Sequence, residues 1–340
     1  MRIGIHHSKF SFSDRWIAYC ESKSISFKLV DCFKADIMQQ LSDCDALMWH
    51  FSQNNAKAIL FAKQLIYSVE ASGRKAFPNF NTIWHFDDKV GQKYLLEAVG
   101  APLARTWIFY DEAEAIDWVR QAEFPLVFKL RGGAGSQNVL LAHSSEDAFK
   151  LIRRAFGSGF SSYDAMGSLK ERFRRYRLGN TNFKDLIEGV VRFAIPPPYS
   201  KIRGREKGYI YFQEYIPGNS FDIRVIVIGD KAFAIKRLVR KHDFRASGSG
   251  MIVYEKESFN VDTIRLAFQM AGRIKSQCAA FDFVYSGDNI YVLEVSYGFI
   301  KEVYDPCVGY WDSDLNWHEG KFNPYGWIVE DLLNDINRNQ

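Results

Sequence analysis

The residues best suited to chemistry are charged groups at the ends of apolar runs. Asp282 and Glu294 lie in Phe281-Asp-Phe-Val-Tyr and Ile290-Tyr-Val-Leu-Glu-Val, on either side of Ser286-Gly-Asp-Asn. Two strands about such a turn form a β-hairpin. Its two carboxylates offer the hard oxygens that magnesium takes, with phosphates and water completing the octahedron. A three-residue loop, Gly287 to Asn289, sets the acids directly opposite each other; a two- or four-residue loop offsets them diagonally. Lys89 opens a helix at Asp87-Asp-Lys, whose aspartates suit the N-terminal dipole. Lys129 ends the run Pro125-Leu-Val-Phe-Lys and precedes a loop containing Gly132, Gly133, Gly135 and Ser136. Glycine lets backbone approach a ligand closely. Arg224, Arg237 and Arg245 carry rigid bidentate donors that suit an oxyanion.

These groups need elements to hold them. Arg2-Ile-Gly-Ile, Phe27-Lys-Leu-Val and Ala46-Leu-Met-Trp are short apolar runs separated by helix-length polar segments, the pattern of parallel strands with crossover helices. They predict a small α/β lobe over 1–83. A second lobe, 84–208, carries strands at Thr106-Trp-Ile-Phe and Pro125-Leu-Val-Phe-Lys. Its glycine loop runs into another strand, Asn138-Val-Leu-Leu, whereas the glycines of Rossmann and Walker sites open a helix. Residues 157–207, with Pro196-Pro-Pro and a basic run from Lys170 to Arg177, read as an insertion. From 209 to 340, runs such as Asp222-Ile-Arg-Val-Ile-Val-Ile and Lys231-Ala-Phe-Ala-Ile-Lys-Arg about tight turns predict antiparallel sheet.

The order of these features resembles the ATP-grasp superfamily, within it RimK-type and glutathione-synthetase-type ligases. Phe212-Gln-Glu-Tyr-Ile, Phe221-Asp-Ile-Arg-Val, Ala234-Ile-Lys-Arg and Asp243-Phe-Arg-Ala-Ser carry the likeness, which spans about residues 80 to 300. It implies an N-terminal parallel α/β lobe and two α+β subdomains clasping ATP. The implied reaction is ADP-forming ligation of a carboxylate to an amine through an acyl phosphate, which requires cations and rigid donors around the transferring phosphoryl group. Lys89 and Lys129 match the family's phosphate-binding lysines, and Gly132 to Ser136 the loop that closes over the phosphates. Gln213, Glu214, Tyr215 and Ile216 match the adenine-reading segment and Asp222 the ribose contact. Arg245, with Arg237 and Arg224, matches the arginines aimed at the γ-phosphate and acyl phosphate. Asp282 and Glu294 match the metal ligands; Ser296 stands where the family usually has Asn. The implied ions are two magnesiums, with manganese as an alternative and the second resting on Ser296. The same ATP site serves two other readings: a small-molecule kinase, and a binding module that has lost catalysis.

The remainder of the chain bounds these expectations. With 340 residues, 47% of them hydrophobic and 16% aromatic, it can bury a large core. The N-terminus does not read as a secretory signal, and no run approaches the roughly 18 apolar residues of a membrane helix. A cytoplasmic protein with no membrane partner is expected. The five cysteines include no Cys-x-x-Cys pair and read as reduced thiols. Residues 151–210 hold 13 Lys or Arg against 5 Asp or Glu, a local +8 in a chain of net +4, which favours an anionic partner or a solvated helix face. The expected partners are a small carboxylate and amine, or an anionic sugar or polymer acceptor; nucleic acid is disfavoured and oligomerisation left open. His6 and His7, after the first strand, are read as structural or as a substrate contact. The aromatic tail from Tyr304 to Trp327 is read as core packing or as a platform for a sugar or amine.

Overall fold

The computed structural model describes all residues except 134–137, 178, 180, 241–243 and 339–340. Two compact units make up the chain: residues 1–86, 91–103 and 218–340 form the first, and 87–90 and 104–217 the second.

The first unit begins with four short parallel strands, β1 (Ile3–His6), β2 (Phe27–Val30), β3 (Ala46–Met48) and β4 (Lys75–Phe77), in the order β2-β1-β3-β4. Strands β1 and β3 are buried throughout, as near-continuous apolar runs in a parallel sheet should be.

The second unit contains β5 (Thr106–Phe109), β6 (Leu126–Phe128) and β7 (Leu140–Ala142), then the pair β8 (Phe160–Ser161) and β9 (Arg205–Glu206), then β10 (Ile210–Glu214). Its main sheet is antiparallel in the order β5-β10-β6-β7. The stretch 157–207 is largely regular structure, with helices Ala165–Arg177, Phe183–Ala194 and Pro198–Arg203 between β8 and β9. Asn182 caps the second of these helices by accepting the Asp185 N–H at 3.0 Å.

The first unit resumes with β11 (Phe221–Ile228), β12 (Lys231–Leu238), β13 (Ile252–Val253), β14 (Cys278–Ser286), β15 (Asn289–Ser296), β16 (Gly309–Asp312) and β17 (Trp317–Glu319). They form an antiparallel sheet ordered β15-β14-β11-β12-β16-β17, with β13 beside β12. Alternation sorts its side chains. Ile223, Val225, Val227 and Phe281 pack under helix Val261–Arg273 through Ile264, Ala267 and Met270. Ile226, Ile228, Phe233, Ile235 and Ala280, on the opposite face, share a core with Ile3, Ile5 and Trp16 of the front lobe and with Ile328, Val329 and Leu332 of helix Pro324–Asn337. The aromatic tail enters these cores: Tyr304, Trp311 and Tyr325 are buried, which corrects the ligand-platform expectation for those three rings.

Candidate active site

The face of the large sheet that carries Ile226 and Ile228 continues, two residues at a time, into Arg224 and Asp222. Cross-strand register sets Arg237 opposite Asp222, and Asp282 opposite Arg224. Four buried or nearly buried charges therefore meet on one face. Arg237 binds Asp222 as a fork, Nε to Oδ1 at 2.6 Å and Nη2 to Oδ2 at 2.7 Å. Its Nη2 also lies 3.0 Å from Asp282 Oδ2, and Arg224 Nε donates to Asp282 Oδ1 at 2.7 Å. Burial disfavours the Asp282 carboxylate, but the two facing guanidinium groups outweigh it and hold its pKa below the usual carboxylate range. Asp222 shares one guanidinium and has Asp282 beside it; there burial prevails and its pKa rises. The match to a ribose contact thus falls on a residue whose carboxylate is engaged by Arg237.

Glu294 joins this face through an irregularity. The hairpin has a two-residue loop, since Ser286 pairs with Asn289, and that register alone would put Leu293 opposite Asp282. A bulge between Asp282 and Phe283 shifts the pairing by one, so Asp282 faces Glu294 and Ala280 faces Ser296. The directly opposed geometry arises from the bulge and not from a three-residue loop. Ser296 Oγ accepts the Gly298 N–H at 3.3 Å. Among the described residues no cluster of three or more His, Cys, Asp or Glu side chains forms a metal cage. Two opposed carboxylates with a hydroxyl on the same face nevertheless fit magnesium, which is commonly held by one or two carboxylates plus phosphate oxygens.

In the second unit both predicted lysines are buried and anchored. Lys129 Nζ donates to Gln213 Oε1 at 2.6 Å; Gln213 Nε2 donates to Thr106 Oγ1 at 3.0 Å, and that hydroxyl to the Ala104 carbonyl at 2.7 Å. Gln213 pairs with Thr106 on one side and Val127 on the other, so the amide orients the lysine from the middle of the sheet. Lys89 Nζ donates to the Gly133 carbonyl at 2.7 Å, and its backbone N–H to the Arg131 carbonyl at 2.8 Å. Glu214 takes a fork from Arg105, which lowers its pKa first through these hydrogen bonds. Tyr215 and Ile216 follow at the end of β10, half-buried and buried respectively.

Arg131, Gly132 and Gly133, where the glycine loop begins, are held by groups that motif reading missed. Asp87 Oδ1 accepts the Gly133 N–H at 2.8 Å and Glu206 Oε1 the Gly132 N–H at 3.3 Å. Tyr209 OH accepts the Arg131 N–H at 2.6 Å, Arg203 pairs with Asp87, and Arg131 with Asp88. Gly133 has φ +114°, a backbone conformation that favours glycine. Asp87 and Asp88 were legible only as helix-start charges; Arg203 and Glu206 lay in the stretch read as an insertion. Gly135 and Ser136 lie outside the described residues, as does Asp243 of the arginine motif. Arg245 is half-buried after β12, its guanidinium 5.8 Å from the Phe244 ring centroid. His6 is buried, and its Nδ1 lies 3.1 Å from the Cys32 N–H and 3.3 Å from the Val30 carbonyl. His7 is exposed, with Nδ1 3.0 Å from Ser13 Oγ.

Residues 200–302 match the RimK-like ATP-grasp domain, a span that includes the arginine–carboxylate cluster and the Asp282–Glu294 hairpin. The whole chain has the ATP-grasp fold. Its fold is similar to D-alanine–D-alanine ligase from Bacillus anthracis complexed with ATP, at 12% identity over 100% of this chain and 99% of that one, TM-score 0.59. It is also similar to a RimK domain ATP-grasp protein from Sphaerobacter thermophilus, at 13% identity over 98% and 100% of the two chains, TM-score 0.55. The ATP-grasp ligase PsnB in complex with precursor peptide PsnA2 and AMPPNP matches at 13% identity over 99% and 98%, TM-score 0.53. No curated protein matches the chain.

Proposed function

We infer that the protein is an ATP-dependent, ADP-forming carboxylate–amine ligase that forms an amide or peptide bond. The observation that carries this reading is the bulged hairpin that sets Asp282 opposite Glu294 on the face lined by Arg224 and Arg237. In the proposed reaction Lys89 and Lys129 bind and orient the phosphates of ATP, and the Gly132–Gly133 backbone supports them. A substrate carboxylate attacks the γ-phosphorus, ADP leaves, and the acyl phosphate forms. Arg224, Arg237 and Arg245 supply fixed positive charge to the transferring group and to the acyl phosphate. An amine then attacks the acyl carbon, inorganic phosphate leaves, and the amine's proton passes to solvent. Asp282, Glu294 and Ser296 would hold magnesium, which when bound offsets the phosphate charge. The neighbouring ligases and the peptide complex support small molecules and peptides as substrate classes.

Hydroxylamine tests this reading directly, because it intercepts an acyl phosphate as a hydroxamate. Incubation with pooled carboxylic acids, magnesium-ATP and hydroxylamine should yield hydroxamate and free phosphate in equal amounts. A phosphorylated product without free phosphate would instead assign a kinase.

A second reading has support of its own. Both Asp282 oxygens are engaged by guanidinium groups, and Ser296 replaces the family's usual Asn, as expected of a module that binds nucleotide without turnover. On that reading Ser296→Asn raises phosphate release; in a working ligase it leaves release unchanged or lowers it.

A further inference from the structure

The helix Phe183–Ala194 is inside out. Its polar side faces the preceding helix, Ala165–Arg177: the Arg172 guanidinium donates to the Asp185 carbonyl at 2.8 Å and pairs with its carboxylate. Gly189 lies against Leu169 and Arg172, so close that an added Cβ would sit 2.8 Å from Arg172 Cδ. The solvent side is apolar. Phe183, Ile187, Val190 and Val191 recur at i, i+4, i+7 and i+8, and are 62%, 50%, 59% and 47% exposed. A helix of a globular protein ordinarily turns such a stripe toward the core. The preceding helix adds Met166 and Phe173, 53% and 52% exposed. The three helices of this segment also carry the exposed cations Lys170, Arg177, Lys184 and Lys201, which form no ion pair among the described residues.

We propose that this helical hairpin docks the protein on an anionic lipid bilayer surface. An exposed stripe of Phe, Ile and Val side chains on a helix that also carries cations is the chemistry of an interfacial helix, whose apolar face enters the headgroup boundary while its cations meet anionic lipid. A second copy would bring the +8 of residues 151–210 against itself. A soluble polyanion would use the cations but leave the apolar stripe in water. The contact departs from the expectation of no membrane partner. No described helix is long and apolar enough to cross a membrane, and none needs to be for surface binding.

The test is co-sedimentation of the full chain with phosphatidylcholine vesicles containing or lacking phosphatidylglycerol, with circular dichroism confirming that each variant is folded. Wild type should sediment with the anionic vesicles, lose binding in high salt, and ignore pure phosphatidylcholine. Ile187→Ser with Val191→Ser should weaken the partitioning at least about tenfold, and Lys170→Gln with Lys184→Gln by a similar factor. No sedimentation of wild type with anionic vesicles overturns the proposal. So does a serine variant that binds as wild type does, which would assign the cations to a soluble polyanion. Self-association in sedimentation velocity that the serine variant abolishes would assign the stripe to a second copy.

Discussion

Asp282 keeps its charge in a buried place because Arg224 and Arg237 face it, and Arg237 at the same time closes a fork on Asp222. Removing that shared guanidinium leaves two buried carboxylates short of a partner. Arg237→Met should therefore cost about 3–5 kcal/mol in urea unfolding, far above the typical surface substitution; a loss under about 1 kcal/mol would show that water already screens the cluster. These arginines stood out in the sequence as motif members, but their mutual pairing did not, because strand register is invisible in the motifs. His50 offers a separate test. Its ring stacks on Phe12 at 3.7 Å, its Nδ1 accepts the Phe12 N–H at 3.2 Å, and burial followed by the Lys301 charge lowers its pKa to about 3. A histidine held neutral in the fold contributes stability in full above its unfolded pKa of about 6.5, and this is lost progressively as pH falls toward the folded value. Between pH 7 and 5 the wild type should lose about 2 kcal/mol that His50→Gln does not lose. Asp331, raised to about 6 chiefly by burial, titrates in the opposite sense but equally in both proteins, so it cancels from the difference. Urea midpoints at the two pH values decide the matter.

At the scale of elements, the decisive feature is one extra residue. The Gly287-Asp288 turn, with Gly287 at φ +58°, sets a two-residue loop, and strict alternation from it would place Glu294 on the face opposite Asp282. The bulge at Leu293 returns Glu294 and Ser296 to the face of Asp282. Deleting Leu293 removes the extra residue and leaves Glu294 opposite Asp282 by ordinary alternation, so the circular dichroism spectrum and the magnesium dependence of ATP binding should both be retained. Loss of that dependence would mean that the bulge does more than choose the face Glu294 takes. Composition announces the hairpin, but no residue type in Tyr291-Val-Leu-Glu announces its bulge. The anchors of the glycine loop were hidden differently: Arg203 and Glu206 lie far along the chain from the loop and carry no motif of their own.

For the whole molecule, the ordered series of lysines, glycine loop, arginines and hairpin carboxylates was enough to indicate an ATP-grasp fold, because each group has to end a particular strand or open a particular helix. The two compact units are not contiguous in sequence: residues 87–90 belong with 104–217, while 91–103 belong with the large sheet. That division cannot be read along the chain, since helix Lys89–Ala98 runs through it without a break. The central proposal is that the protein binds magnesium-ATP, with Lys129 holding phosphate and Glu294 holding the metal. Thermal denaturation with increasing magnesium-ATP, on wild type, Lys129→Ala and Glu294→Gln, tests it most directly. Wild-type Tm should rise in a metal-dependent way, and the rise should be clearly reduced in both variants; a wild type that does not respond, or variants that respond as wild type does, would contradict the proposal.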